Sequence, residues 1–169
     1  MTDARRALVL TVSDGAKAGT RRDDSGAALA DRLAELGFEC RREVVGDEME
    51  EIARAVARAA ETCVLVVATG GTGLGPRDRT PQTLHALLDY EVPGFGEVMR
   101  SAGRRSTPLA DLSRSLAGVL GRTLVVAVPG SPRGALESLA ALEPLFDHAL
   151  ETLAGQTEHA AGGDVERPG

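Results

Sequence analysis

Short apolar segments of strand length alternate along this chain with longer segments of helical periodicity. The apolar segments 6–13, 64–69 and 123–128 are nearly continuous, whereas a fourth, 38–45, carries charges that predict exposure on one side. Continuous apolar strands are typical of parallel sheets covered on both faces. The helical segments are 25–36, 48–61, 80–88, 96–104 and 133–153, and Pro144 is predicted to bend or split the last of them. This alternation predicts an α/β, three-layer fold with a mainly parallel sheet and helices on both faces.

The predicted organisation is a single domain over residues 1–154, followed by a disordered tail. Segment 106–121 fits neither pattern clearly, and residues 155–169 lack apolar periodicity, which predicts disorder. No apolar run approaches the roughly 18 residues that a membrane-spanning helix requires, and no small-residue cleavage site follows the first segment. Cys40 and Cys63 lack the spacing of a metal site and are predicted to be buried free thiols. We therefore expect a cytoplasmic protein without membrane association.

Charge and aromatic content argue against nucleic-acid binding. The net charge is −6, aromatic residues make up 2% of the chain, and tryptophan is absent. A nucleic-acid-binding surface usually combines a basic face with stacking aromatic side chains, so we expect no nucleic-acid partner. In an acidic protein, a phosphate site needs local positive charge from a metal ion, from helix N-termini or from clustered arginines.

Four polar junctions follow directly after the predicted strands. They are Ser13-Asp14, Gly46-Asp47, Gly70–Asp78 and Pro129–Pro132. The carboxyl ends of parallel strands lie at one edge of the sheet, and ligands of such folds bind there. The sequence therefore predicts that these junctions form one ligand site.

The third junction contains the sequence GGTG at Gly70–Gly73, which is a candidate phosphate-binding turn. Glycines let backbone N–H groups approach a phosphate closely, and Thr72 adds a hydroxyl; a flexible glycine turn is the alternative. Asp78 in the same loop can ligate Mg²⁺ or can simply favour the N-terminus of the next helix. Thr80 is predicted to be the N-cap of that helix, with Pro81 at its first position.

The first two junctions have structural alternatives of their own. Asp47 with Glu50 forms a capping-box pattern, which would explain Asp47 without any chemistry. Asp24 or Ser25 is predicted to cap the helix of residues 25–36. The loop 15–23 before it carries Lys17, Arg21 and Arg22, and it either covers a phosphate site or is simply a solvated loop.

Three further candidates lie later in the chain. The turn Pro129–Pro132 places a helix N-terminus after a strand, which suits an anion but is also a generic connection. Glu97 and Arg100 can form a surface ion pair at i, i+3. Ser113 can simply cap a helix.

Six segments in a fixed order carry a family resemblance from about residue 7 to residue 153. They are TVSD at 11–14, DDSG at 23–26, VVGDE at 44–48, ATGGTGLGPRDRTPQT at 68–83, VPGFGEVMR at 92–100 and LSRSLAGVLGRTLVVAVPGSP at 112–132. In this order the segments resemble the molybdopterin adenylyltransferases of the MogA/MoaB type, which share their fold with the G domain of gephyrin-like proteins.

The resemblance implies transfer of AMP from Mg-ATP to the phosphate of molybdopterin, with release of pyrophosphate, in molybdenum cofactor biosynthesis. It implies that Asp47 and Asp78 are the catalytic residues and handle Mg²⁺. It further implies ligand binding by Ser13, Asp14, Asp24, Ser25, Gly70, Gly71, Thr72, Gly73, Thr80, Pro81, Glu97, Ser113, Pro129, Gly130, Ser131 and Pro132. A homo-oligomer, with a trimer favoured over a hexamer, and contact with a molybdenum-insertion partner are also implied.

Two positions depart from the family pattern. Gln82 stands where an acidic residue often follows the Thr-Pro pair, and Gly46 stands where a proline commonly precedes the aspartate, which predicts a looser turn at Asp47. The alternative function is a non-catalytic molybdopterin-binding carrier or scaffold. Asp47 and Asp78 favour the enzyme, because a pure binder has no evident use for two carboxylates beside an anionic ligand. Which aspartate ligates the metal, and whether the pathway serves molybdenum or tungsten, stays open.

Overall fold

The fold is organised around a six-stranded sheet in which four neighbouring strands are parallel. The computed structural model describes residues 5–156. The strands are β1 (Arg6–Val12), β2 (Glu39–Val45), β3 (Leu65–Thr69), β4 (Tyr90–Glu91), β5 (Leu116–Leu120) and β6 (Thr123–Val128). Their order across the sheet is β2-β1-β3-β6-β5-β4, and β5 pairs antiparallel with both of its neighbours. The predicted mainly parallel sheet is confirmed.

Helices cover both faces of this sheet. They are α1 (Asp14–Lys17), α2 (Asp24–Glu35), α3 (Met49–Ala60), α4 (Thr80–Leu87), α5 (Pro93–Arg104) and α6 (Pro132–Leu153), with a 3₁₀ helix at Pro108–Leu112. α2, α5 and α6 cover one face, where Leu33, Met99 and Leu139 are buried against the sheet. α3 and α4 cover the other face, where Ile52 and Leu84 are buried. The three layers confirm the predicted architecture.

β1 and β2 differ in burial as their sequences predict. Ala7 and Val9 belong to the core on the α2 side, whereas Leu8 belongs to the core on the α3 side. Because side chains alternate across a strand, a strand covered on both faces needs apolar residues throughout. β2 lies at the edge of the sheet, and its Arg41 and Arg42 are exposed.

Pro144 lies inside α6, which continues unbroken for 22 residues. The predicted split of this helix is therefore wrong. Phe146 and Leu142 on either side of the proline are buried in the core, while Pro144 and Ala140 are exposed. The Ala140 carbonyl, which loses its helical partner to the proline, faces the side of the helix where water can replace it.

Segment 106–121, which the sequence pattern left unassigned, contains the 3₁₀ helix and β5. β5 returns antiparallel to β6 across a tight turn in which Gly121 has a φ of 62°. α5 begins at Pro93 rather than at residue 96, because a proline in the first helical turn lacks only an N–H that has no helical partner there.

Other predictions concern the thiols, the tail and the membrane. Cys63 is buried and Cys40 is half-buried, both are free, and burial raises the pKa of the Cys40 thiol. Nearly all of the predicted disordered tail, from residue 157 onward, lies outside the described residues. Within residues 5–156, no helix has both the length and the apolar character needed to cross a bilayer.

Gly70 directly follows β3 and has a backbone conformation that other residues rarely adopt, with a φ of 100°. A Cβ at this position would overlap the Val12 carbonyl oxygen. We expect Gly70→Ala to lower the free energy of unfolding by on the order of 3 kcal/mol, because backbone strain and a backbone clash add. Gly121→Ala is the control: it also has a positive φ but open space, and should cost about 1 kcal/mol. Equal losses in urea denaturation would contradict the close contact at Gly70.

Candidate active site

A cavity of about 770 Å³ opens at the carboxyl ends of β1, β3 and β6. Its volume falls in the range of roughly 300–1,000 Å³ that is typical of ligand pockets. Predicted site residues from all four junctions and from the start of α2 line it: Ser13, Asp24, Ser25, Asp47, Gly70, Gly71, Thr72, Gly73, Asp78, Gly130, Ser131 and Pro132. The junctions that the sequence placed at one edge of the sheet do meet there.

Six predicted site residues do not line this cavity: Asp14, Thr80, Pro81, Glu97, Ser113 and Pro129. Thr80 and Pro81 are buried beneath the glycine turn. Ser113 and Pro129 line a smaller neighbouring cavity of about 190 Å³. Glu97 is exposed on α5 and lines neither cavity. Three of them, Asp14, Thr80 and Pro129, form hydrogen bonds with residues that do line the large cavity.

Asp14 and Asp47 join the ends of β1 and β2 through two reciprocal hydrogen bonds. The Asp14 N–H donates to Asp47 Oδ2, and the Asp47 N–H donates to Asp14 Oδ1, both at 2.9 Å. The capping-box interpretation of Asp47 is wrong, because the N-cap of α3 is Glu48, whose side chain makes no capping hydrogen bond. Asp47 instead lines the cavity with its carboxylate bound to a neighbouring loop.

Arg77 reaches from the β3–α4 loop to this pair of aspartates. Its Nη2 lies 2.7 Å from Asp14 Oδ2 and 3.0 Å from Glu48 Oε1. The Asp47 N–H and then Arg77 hold the pKa of Asp14 below its ordinary value, while Glu48 and Asp14 raise the pKa of Arg77. Asp14 is therefore ionised at neutral pH and ties the loops after β1, β2 and β3 together.

The glycine turn is held from below by Thr80. The Thr80 Oγ1 donates to the Gly70 carbonyl at 2.9 Å, and the Thr80 N–H donates to the Gly71 carbonyl at 3.1 Å. The prediction that Thr80 caps α4 is wrong: the N-cap is Arg79, without a side-chain capping bond, and Thr80 and Pro81 are the first two helical residues. The hydroxyl fixes the turn instead of the helix end.

Asp78 closes the same loop onto Gly75. Its Oδ2 accepts from the Gly75 N–H at 2.8 Å, and its own N–H donates to the Gly75 carbonyl at 3.0 Å. The side chain of Arg114 also donates to carbonyl oxygens of this loop, at Gly73 and Asp78. Arg114 was not among the predicted site residues, although the segment 112–132 contains it, because these carbonyl oxygens lie 36 and 41 residues away along the chain.

Asp23, and neither Asp24 nor Ser25, is the N-cap of α2. Its Oδ1 accepts from the Gly26 N–H at 2.9 Å and from Thr11 Oγ1 at 2.8 Å, and Arg42 Nη2 donates to Oδ2 at 2.7 Å. The observed cap therefore lies one residue before the first predicted candidate and two before the second. Asp24 and Ser25 remain in the cavity lining, as the first two residues of the helix.

Of the three basic residues in the predicted loop 15–23, two line the cavity and one forms an ion pair outside it. Arg21 and Arg22 line the cavity. Lys17, in the short helix α1, instead pairs with Glu51 at 2.6 and 2.7 Å. The second Glu51 oxygen also accepts from the Gly46 N–H at 3.0 Å, and Lys17, then this N–H, hold the pKa of Glu51 below its ordinary value. The Asp47 turn is therefore held by hydrogen bonds, in spite of the glycine that was predicted to loosen it.

The turn Pro129–Pro132 brings the N-terminus of α6 to the cavity. Ser131 is the N-cap and accepts from the Gly134 N–H at 3.1 Å, and Pro132 is the first helical residue. Thr69 Oγ1 donates to the Pro129 carbonyl at 2.8 Å and so fixes the turn against the end of β3. Ser131 lines both cavities.

The smaller cavity involves the other late candidates. The predicted Glu97–Arg100 ion pair is wrong, because Arg100 Nη1 points to the Ser115 carbonyl at 2.9 Å. Ser113 follows the 3₁₀ helix at its C-terminal end, and its Oγ lies 2.8 Å from Ser115 Oγ. Arg100 and Ser113 therefore brace the entry into β5 and line the smaller cavity.

The charges that line the large cavity come from two arginines and four aspartates: Arg21, Arg22, Asp23, Asp24, Asp47 and Asp78. Residues 5–156 contain no cluster of three or more histidine, cysteine or acidic side chains suited to a metal ion. Asp47 and Asp78 each accept a protein hydrogen bond on Oδ2, and within the described chain none reaches Oδ1. Two carboxylates that share a cation with substrate phosphates are the usual setting of Mg²⁺, so these residues fit that ion.

Asp23 makes stability dependent on pH. Burial opposes its ionisation, but hydrogen bonds from Arg42, Thr11 and Gly26 hold its pKa below the ordinary 3.8. A lowered pKa stabilises the fold above about pH 4, and this contribution is lost as the pH falls through the folded-state value. We expect Asp23→Asn to lower the free energy of unfolding by about 1–2 kcal/mol near neutral pH.

The measurement is urea denaturation of wild type and variant between about pH 7 and about pH 3.5. The difference between the two proteins should shrink towards the acid end. Asp31→Asn, at an exposed position of the same helix, is the control and should show no such trend. A difference for Asp23→Asn that stays constant with pH would contradict the assignment.

Residues 8–148 match a family model described as "Probable molybdopterin binding domain". The chain is 36% identical over 152 residues to a molybdopterin adenylyltransferase of Helicobacter pylori, covering 87% of this chain and 86% of that protein. It is 42% identical over 151 residues to a molybdenum cofactor biosynthesis bifunctional protein of Synechococcus elongatus, covering 88% of this chain but 47% of that protein. This chain therefore spans about half of that relative.

The fold is also that of a solved family structure. The molybdopterin biosynthesis enzyme MoaB of Thermus thermophilus superimposes with a TM-score of 0.81 at 46% identity, covering 89% of this chain and 96% of that one. Sequence and fold thus agree over nearly all of the described residues. The chain belongs to the molybdopterin-binding domain family of the MogA/MoaB type.

Proposed function

We propose that this chain is a molybdopterin adenylyltransferase, which transfers AMP from ATP to the phosphate of molybdopterin. The observation that carries the proposal is the meeting of Asp47, Asp78 and the Gly70–Gly73 turn in one cavity. Joining two polyanions requires close backbone approach to phosphates and oxygen ligands for a divalent cation. The similarity to the Helicobacter pylori adenylyltransferase over most of both chains supports this pair of substrates.

The reaction needs no covalent intermediate on the protein. A phosphate oxygen of molybdopterin attacks the α-phosphorus of ATP, the bond from that phosphorus to the bridging oxygen breaks, and pyrophosphate leaves with the bonding electrons. The work of the protein is to hold the two reactants in line and to stabilise the charge that develops.

Positive potential for the phosphates comes from a helix N-terminus and from two arginines. The N-terminus of α6 presents the positive end of a 22-residue helix to the cavity at Ser131 and Pro132. Arg21 and Arg22, in the loop between α1 and α2, also line the cavity. These groups are suited to the triphosphate or to the molybdopterin phosphate.

Mg²⁺ is the divalent cation that we assign to Asp47 and Asp78. Both carboxylates line the cavity and keep one oxygen without a protein donor in the described part of the chain. When bound, Mg²⁺ supplies charge neutralisation for the phosphates. The role of the chain is to hold these carboxylates at fixed positions through the Asp14 and Gly75 N–H groups.

The cytoplasmic location, the homo-oligomer with three subunits favoured, and the contact with a molybdenum-insertion partner belong to the same proposal. Leu109 and Leu112 of the 3₁₀ helix are 67% and 52% exposed. Neighbouring apolar side chains on the surface support self-association or partner binding.

We expect Asp78→Asn to lower molybdopterin-dependent pyrophosphate release by about 10²- to 10³-fold, because it removes charge that faces the phosphates. Binding of molybdopterin should be retained. A coupled pyrophosphate assay with Mg-ATP and an equilibrium binding titration measure the two quantities, with Asp31→Asn as the control. Wild-type protein that binds molybdopterin but releases no pyrophosphate with any divalent metal would instead establish the carrier function.

Asp47→Asn tests whether the second carboxylate contributes to catalysis or only to the stability of the fold. An asparagine oxygen can still accept the Asp14 N–H, and α3 has no side-chain cap to lose, so the free energy of unfolding should change by less than about 1 kcal/mol. Pyrophosphate release should fall by about 10²-fold. Urea denaturation and the pyrophosphate assay on the same preparation test this. A rate that falls only with the folded fraction would make Asp47 a structural residue.

A further inference from the structure

The side chain of Arg114 binds the glycine-rich loop at both of its ends, from outside the cavity lining. Nε and Nη2 donate to the Gly73 carbonyl at 2.9 and 2.7 Å, and Nη2 also donates to the Asp78 carbonyl at 2.7 Å. The Arg114 N–H donates to the Thr72 carbonyl at 2.9 Å. One residue in the approach to β5 therefore holds three carbonyl groups of the loop 72–78.

These carbonyl groups control where the Asp78 carboxylate lies. A Cβ on Gly73 or on Gly75 would come within 2.8 Å of Asp78 Oδ2, so the carboxylate is packed directly against both glycines. It also accepts the Gly75 N–H. A shift of Gly73 relative to Asp78 would therefore move the carboxylate, and Arg114 bridges those two residues.

The charge of Arg114 is left uncompensated among the described residues. Its acceptors are the carbonyl oxygens of Gly73 and Asp78 and the Oε1 of Gln82 at 3.1 Å, all of them neutral. Arg77, in the same loop, instead pairs with two carboxylates. A half-buried guanidinium behind the loop keeps its full positive charge, which favours anions at the loop.

We infer that Arg114 is a positioning residue of the adenylyl-transfer site, which fixes Gly73 and Asp78 so that the Asp78 carboxylate keeps its place in the cavity. This inference rests on the proposed function, because the role of Asp78 is taken from it. Arg114 itself lines neither of the two cavities. Its planar fork matters as much as its charge, since two donors on one rigid group span two carbonyl oxygens.

The first experiment needs no substrate. Hydrogen–deuterium exchange of peptides covering residues 71–79 is compared among wild type, Arg114→Ala and Arg114→Lys. We expect exchange in this loop to be about tenfold faster in both variants, because lysine keeps the charge but lacks the fork. Arg122→Ala, at the exposed β5–β6 turn, is the control and should leave the loop unchanged. Unchanged loop exchange in Arg114→Ala would overturn the inference.

The second experiment measures steady-state pyrophosphate release. We expect kcat to fall about 10²-fold in Arg114→Ala and about tenfold in Arg114→Lys, while KM for molybdopterin changes less than about threefold. The Mg²⁺ concentration for half-maximal rate should rise in both, because Asp78 is displaced. A role in overall stability alone would reduce the amount of active protein without changing that Mg²⁺ concentration, and this result would count against the inference.

The two proposals fail in different ways. Wild-type protein without pyrophosphate release overturns the proposed function, and loop exchange still decides whether Arg114 holds Gly73 and Asp78. Active wild-type protein with unchanged kcat, Mg²⁺ dependence and loop exchange in Arg114→Ala overturns the inference alone.

Discussion

Parallel hydrogen bonding of β1 to β2 and β3, and of β3 to β6, is the constraint on which the site depends. The register sets Thr11 opposite both Val44 and Thr69, and Thr69 opposite Val128, so four strands end at one level. The Ser13 N–H extends this pairing to the Val45 carbonyl. A slip by one residue would move a junction by about 3.3 Å and would turn its strand's buried side chains to the opposite face. The two apolar cores therefore also fix the geometry of the cavity.

The aspartates in and around the cavity fall into two groups, those that form ion pairs with arginines and those that do not. Asp14 is paired with Arg77, Asp23 with Arg42, and Asp24 with Arg22. Asp47 and Asp78 accept only backbone N–H groups, and neither forms an ion pair within residues 5–156. The internal ion pairs thus use up most of the nearby positive side chains, and the two unpaired carboxylates are the ones that an added cation would neutralise.

The sequence predicted the sheet and the meeting of the junctions, because continuous apolar strands and polar turns are local signals. It misplaced the cap of α2 by one or two residues and the cap of α4 by one residue. Those errors have a tertiary cause: the Thr80 hydroxyl, which could cap its own helix, donates to the Gly70 carbonyl, and Asp23 gains Arg42 and Thr11 as additional partners. Arg114 lies in the segment 112–132 that carries the family resemblance, but its contacts with the glycine-rich loop could not be predicted, since its acceptors lie far away along the chain.

The glycine at position 46 and the two hydrogen bonds between Asp14 and Asp47 depend on each other. A proline at position 46 would have no N–H to donate to Glu51, the carboxylate that Lys17 holds in place. A Cβ at position 46 would also come within 2.9 Å of Asp14 Oδ1, the oxygen that accepts the Asp47 N–H. Glycine therefore gives the turn an anchor to α3 and leaves space for the Asp14 carboxylate. Rigidity that a proline ring would supply covalently is supplied here by hydrogen bonds, and Asp47 stays fixed at the edge of the cavity.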